Sequence, residues 1–226
     1  MIKTIPEKAF MFLKELARNN DRDWFNENKP EFKSIEGEVK TFFNELLIRM
    51  QEYDKIEKLK MFRIYRDVRF SKNKEPYKTH ISGNYIRVKP ELRGSYYLHI
   101  QPNASFIAAG FWAPEKDDLL RIRKEFELDA SEIRTILADQ HLKSIWGELE
   151  GEELKTAPKG FSKDHKNIDL IRKKQFVFTK NFTDQEVLSA DFIKEVDTAF
   201  KAIRPYFDYM SEVLTTDENG LSLIEN

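Results

Sequence analysis

The chain of 226 residues reads as an α+β protein: a single domain over 1–226 with N-terminal helices, a central and largely antiparallel sheet, and C-terminal helices. Three observations predict this. Apolar residues recur at helical spacing near both ends, they recur at period two through the middle, and the middle segments are joined by short turn-type pieces.

Thr4 with Glu7 three residues later has the form of a capping box, Pro6 suits a first turn, and Phe10, Leu13, Leu16 and Ala17 follow at helical spacing. This predicts a helix over about residues 6–18. After the break "NNDRD", Phe32, Ile35, Val39, Phe42, Phe43, Leu46, Leu47 and Met50 form a stripe that only a helix places on one face. From about residue 60 the period changes to two. In "FRIYRDVRF" the residues Phe62, Ile64, Val68 and Phe70 alternate with Arg63, Tyr65, Asp67 and Arg69, and Arg66 falls on the apolar face. "HISGNYIRV", "SYYLHIQ" and "SFIAAGFW" are further strands, separated by pieces holding Pro90, Gly94, Pro102 and Asn103.

Helical spacing returns in "KDDLLRIRKEFE" and, behind Asp129 or Ser131, in "SEIRTILAD". "GELEGEELK" places Gly147 and Gly151 where a short hairpin needs them, and "FVFTK" reads as a last strand. Val187 to Leu214 is helical, with Ile193, Val196, Phe200 and Ile203 in register, and Pro205 is expected to kink this stretch or start a new helix.

With 40% hydrophobic and 13% aromatic residues the chain can bury a sizeable core. It has no cysteine, which removes disulfides, thiol nucleophiles and thiolate metal sites and fits a reducing compartment. The first twenty residues alternate apolar with charged positions, unlike a signal peptide, and no segment approaches the ~20 apolar residues of a membrane span. A cytoplasmic protein with no membrane partner is expected. Nucleotide-loop, dinucleotide and hydrolase-elbow glycine patterns are absent, so no cofactor is indicated. His80, His99, His141 and His165 share no ligand spacing, so no metal site is expected, although scattered carboxylates leave magnesium open.

The net charge of −1 conceals segregation. Lys60 to Arg93 holds ten basic residues against three acids, and Asp184 to Asn226 holds ten acids against three basic residues. Such halves either neutralise each other across a fold or direct a field at the surface. Within the basic half, an arginine on an apolar face is costly unless paired. Arg66 is therefore expected either in a buried bridge to a carboxylate, for instance from the acidic C-terminal helices, or in a ligand site. The following "SKNKEPYKTH" reads as a loop pinned by Pro76, and in "SYYLHIQ" the residues Tyr97, His99 and Gln101 share a polar face.

"FRIYRDVRFSKNKEPYKTHISG", then "YYLHIQP", "SFIAAGFWAP" followed by "LLRIR", and later "APKGFSKDH" resemble, in order, a widespread family of uncharacterised proteins defined by one conserved domain of unknown function. The resemblance runs from about Trp24 to about Pro205. It implies one α+β domain, it implies no activity, and it marks Arg66, Asp67, Arg69, Phe70, Ser71, Lys72, Pro76, Tyr77, Lys78, Thr79 and His80 as matching the family's signature. Ser95 and Ala109 stand where that family usually has glycine.

The concentration of Arg, Lys, Tyr and His in one signature points to a binding or catalytic pocket for a small anionic or phosphorylated ligand. Arg66, Arg69, Lys72, Tyr77 and Lys78 are the candidate ligand-binding residues, and His80 and His99 the candidate acid/base groups. Tyr97 is a further wall. The alternatives are a nucleic-acid-binding module using the basic face, which the near-neutral pI of about 6.5 does not favour, or a protein-interaction domain using the basic loop. The sequence leaves the oligomeric state open.

Overall fold

The computed structural model describes residues 4–224. The elements follow in the order α1 (Glu7–Arg18), α2 (Arg22–Met50), β1 (Ile56–Met61), β2 (Ile81–Arg87), β3 (Ser95–Ile100), β4 (Ser105–Phe111), α3 (Lys116–Leu128), α4 (Ser131–Ala138), α5 (Gln140–Trp146), α6 (Ile168–Ile171), β5 (Phe176–Phe182), α7 (Asp184–Leu188), α8 (Phe192–Ala202) and α9 (Arg204–Thr215). The strands form one antiparallel sheet in sequence order, β1-β2-β3-β4-β5. The α+β class is as the sequence predicts.

The chain falls into two compact units, each assembled from separate segments. The first comprises residues 1–85, 97–107 and 181–198. Its spine is α2, which starts earlier than the apolar stripe suggests because the Asp21 carboxylate accepts hydrogen bonds from the amides of Asp23 and Trp24, both at 2.9 Å. The helix runs through Pro30, which forfeits one intrahelical bond. Phe25 and Phe32, buried on either side, clamp that segment to Phe12 of α1 and to Tyr77. Further along, Phe42 stacks on Phe192, and the buried Tyr85 hydroxyl donates to the Phe43 carbonyl at 3.1 Å. At α1 the cap is Pro6 without a side-chain hydrogen bond, so the Thr4–Glu7 capping box is not formed.

The second unit comprises residues 86–96, 108–180 and 199–226. Tyr96, Phe176, Phe178, Phe200, Tyr206 and Phe207 make its aromatic core, and the Trp146 indole donates to the Ala199 carbonyl at 2.8 Å. Pro205 opens α9 after a break at Ile203, as its missing N–H requires. The "GELEGEELK" segment does not fold on itself; Glu150 and Glu153 pair with Val177 and Lys173 instead. Among the described residues no helix is long and apolar enough to cross a membrane.

The largest departure concerns "FRIYRDVRF". The strand precedes it, at Ile56–Met61, and residues 62–80 leave the sheet as a long connection. Period two survives there only at Tyr65 and Tyr77, which form an isolated antiparallel bridge. Phe70, read as an apolar-face residue, is 96% exposed. Arg66 is therefore not on a buried strand face. The arginine that is fully buried is Arg87, at the end of β2. Its guanidinium donates to the Arg93 carbonyl at 2.8 Å, to Ser211 Oγ at 3.1 Å and to the Asp208 carboxylate at 3.3 Å, and it lies 4.9 Å from the Phe207 ring. A buried arginine bridged to the acidic C-terminal helices thus exists, although its carboxylate partner is half exposed, and it is a different residue from the one the alternation singles out.

Candidate functional site

The connection between β1 and β2 is closed by two backbone bonds, Arg66 N–H to the Pro76 carbonyl at 2.8 Å and Lys78 N–H to the Ile64 carbonyl at 2.7 Å. It is anchored by Tyr77, whose ring is buried and stacked on Phe25 with centroids 4.0 Å apart. The Asn20 side chain brackets the same residue, accepting from its amide at 3.1 Å and donating to its carbonyl at 3.0 Å. A stretch rich in charge is thereby held by one aromatic plug and one amide clamp.

Around this anchor lies an open cleft of about 370 Å3 lined by Arg66, Asp67, Glu75, Tyr77, Lys78, Thr79 and His80. Of the cations expected in a pocket, Arg66 and Lys78 line it. Arg69 does not: its guanidinium is forked onto Asp67 at 2.7 and 2.9 Å and faces solvent. That fork holds the Asp67 carboxyl below the usual carboxylate range. Lys72 is exposed and also stands outside the lining. Arg66 has one long contact, 3.5 Å to Glu75, whose carboxylate also accepts from Asn73 at 2.9 Å. Lys78 donates to the Arg63 carbonyl at 2.8 Å, and burial together with the Arg63 charge lowers its pKa.

His80 ends the connection and β2 begins beside it. β2 is the neighbour of β3 in the sheet, so the polar face expected on "SYYLHIQ" meets this end of the loop. The His80 and His99 rings lie 4.1 Å apart. Along β3, His99 Nδ1 is 3.0 Å from the Tyr97 hydroxyl and His99 Nε2 is 2.8 Å from Gln101 Oε1. An amide oxygen can only accept, so Nε2 carries the hydrogen, and Nδ1 accepts from Tyr97. His99 is thereby fixed as one neutral tautomer, with Phe106 stacked on it at 4.6 Å. Burial lowers its pKa, and the Gln101 bond offsets part of that.

His80 differs. Among the described residues its ring nitrogens have no hydrogen-bond partner. Burial first, then the adjacent His99 imidazole and the Lys78 and Arg66 charges, push its pKa down to about 3. At neutral pH it is an uncharged acceptor in the same cleft as two cations.

A family model matches residues 8–209. The chain belongs to the conserved hypothetical protein family DUF2461. No curated protein and no solved structure matches it. In this DUF2461 chain two of the backbone conformations that favour glycine fall at Gly94 and Gly110, with φ of +83° and +136°. Ser95 and Ala109 each stand one residue away, and neither lines the cleft. At Gly110 a Cβ would also run into the Phe176 carbonyl oxygen.

Sequence reasoning missed Asn20 and Glu75 as parts of this neighbourhood, and it marked Asp67 and Thr79 only as members of the family's signature, without a place in the cleft. Nothing in the period of the chain marks Asn20, because it sits in a helix-to-helix break and reaches Tyr77 across 57 positions. The two carboxylates were legible as the acids within a basic run. Among the described residues no three His, Asp or Glu side chains gather to hold a metal ion.

Proposed function

We propose that the Arg66–His80 cleft binds a small anionic ligand, and that His80 accepts a hydrogen bond from it. One observation carries this reading: an un-ionised imidazole without a hydrogen-bond partner opens into a cleft beside Arg66 and Lys78. A partly buried imidazole with a strongly shifted pKa, set in a cleft, is the kind of group that concentrates at ligand-binding sites. The carboxylates in the lining do not cancel the cations. Asp67 is engaged by Arg69, and the 3.5 Å contact from Arg66 to Glu75 is weak enough for an entering phosphate or carboxylate to replace. A hydroxyl on the ligand facing His80 would supply the donor that the imidazole lacks.

The test is calorimetric titration with phosphate monoesters and hydroxy acids at pH 7.5, on the parent chain and on Arg66→Ala, Lys78→Ala and His80→Gln. Saturable binding that weakens in all three supports the reading. Binding that is absent for every anion at millimolar concentration, or indifferent to the three changes, removes it.

A second reading rests on Phe70, whose ring is 96% exposed with the Arg69 guanidinium 6.0 Å from its centroid, on the same loop as Lys72. An exposed ring among cations suits a base stacked on the loop and a phosphate beside it. A mobility shift with single-stranded nucleic acid that disappears in Phe70→Ala and falls with salt would favour it. We further read the protein as cytoplasmic, supported by the absence of cysteine.

A further inference from the structure

The second unit carries a concavity of a different character, about 140 Å3, between α3, α4, α9 and the turn that follows α9. Its wall holds five carboxylates, Glu125, Glu132, Glu212, Asp217 and Glu218, against the single guanidinium of Arg121. Arg121 is already committed. It pairs with Glu125 at 2.7 Å and donates to the carbonyls of Thr216 and Asp217, both at 3.0 Å. The Asp217 carboxylate in turn caps the amides of Asn219 and Leu221 at 2.8 and 2.9 Å. Glu132 and Glu212 are left with no side-chain cation among the described residues. The last turns of α3 and α9 both lie at this wall, and neither contains a basic residue to oppose the negative end of its helix dipole.

Acids on a surface are commonplace. The separate observation is Tyr209, which lines the same concavity, is only 7% exposed, and has a hydroxyl with no hydrogen-bond partner among the described residues. Burial and the charges of Glu125 and Glu132 raise its pKa, so it stays a neutral phenol. A phenol oxygen can accept a hydrogen bond from a cationic donor, and the carboxylates around it select for one. The acids do not gather closely enough at any point to ligate a metal ion. Negative charge is spread over the wall, while Leu128 and Val213 supply apolar surface within it.

We infer that this concavity binds the ammonium end of a short aliphatic diamine or polyamine, with Tyr209 Oη accepting from the ammonium, Glu132 and Glu212 balancing its charge, and Leu128 and Val213 flanking its methylenes. The site is independent of the Arg66–His80 cleft, and neither stands or falls with the other.

The experiment is isothermal titration of the full chain at low salt with 1,4-diaminobutane and with spermidine, against magnesium chloride at matched ionic strength. The expected result is saturable binding of both amines and none of magnesium. Affinity should fall about ten-fold in Tyr209→Phe, which keeps the ring packing, and similarly in Glu132→Gln. Equal binding of magnesium, no saturable binding of either amine, or affinity unchanged in both variants overturns the inference. Should Tyr209→Phe fail to fold, amide and aromatic NMR shifts of the parent chain decide. Shifts on amine addition centred on Tyr209 and Glu132 support the site, and shifts centred elsewhere overturn it.

Discussion

His80 makes the stability of the fold depend on pH in a way that one substitution isolates. Its pKa in the folded chain is about 3, against about 6.5 for an unperturbed imidazole. As pH falls below 6.5 the unfolded chain takes up a proton that the folded chain refuses. Stability is fully present above 6.5 and declines as pH drops towards 3. Between pH 6.5 and 4.5 the ceiling is two units at about 1.36 kcal/mol each, or about 2.7 kcal/mol. The ring is only partly buried, so solvent screening reduces this to about 1–2 kcal/mol. Urea unfolding of the parent chain and of His80→Gln at pH 7.5 and pH 4.5 measures it. The parent should lose about 1–2 kcal/mol more than the variant over that range, because carboxylates elsewhere titrate identically in both. Parallel losses, or an imidazole NMR titration of His80 with a midpoint near its ordinary value, would refute the argument that burial and the Lys78 and Arg66 charges hold this ring neutral.

Long-range proton–nitrogen NMR should show His99 protonated at Nε2 in the parent, and Gln101→Leu should release that preference by removing the acceptor 2.8 Å away. Gly110→Ala should cost at least about 2 kcal/mol in urea unfolding, since it combines a φ of +136° with a collision against the Phe176 carbonyl. Arg69→Ala should leave the unfolding midpoint unchanged, because its fork to Asp67 lies in solvent, and should weaken anion binding by freeing the Asp67 carboxylate that lines the cleft. Arg87→Ala should cost about 3 kcal/mol or more by removing the donor from the Arg93 carbonyl and emptying the space beside Phe207, whereas Arg66→Ala should cost less than about 1 kcal/mol.

Much of the architecture was legible because it depends on period alone. The stripe from Phe32 to Met50 and the alternation in "SYYLHIQ" are each satisfied by one regular conformation, and the structure adopts it. The start of α2 was not legible from the stripe, since it is set by the Asp21 carboxylate and by Phe25 packing on Tyr77, a partner from a distant loop. The "GELEGEELK" segment failed as a hairpin for a related reason. Its edge groups find better partners at Lys173 and Val177 than in each other, and pairing choice between distant segments leaves no periodic trace.

The basic signature shows where period misleads. Alternation in "FRIYRDVRF" is real, yet β1 has already ended at Met61, and beyond it only Tyr65 finds a strand partner. Without a ladder to enforce two-fold alternation, side-chain direction follows the anchors, Tyr77 on Phe25 and Asn20 on the Tyr77 backbone. Arg66 is turned to the rim of a cleft, and Arg69 is turned out to Asp67. The premise that an arginine within an apolar strand must find a carboxylate is nevertheless correct, and Arg87 satisfies it: β2 is a full strand, its burial alternates, and Asp208 and Ser211 come from the acidic α9. The two cations therefore divide the roles that the sequence assigned to one. Arg87, enclosed and saturated with acceptors, holds the second unit together. Arg66, with one long contact and an unpaired imidazole beside it, is the cation still able to take a ligand.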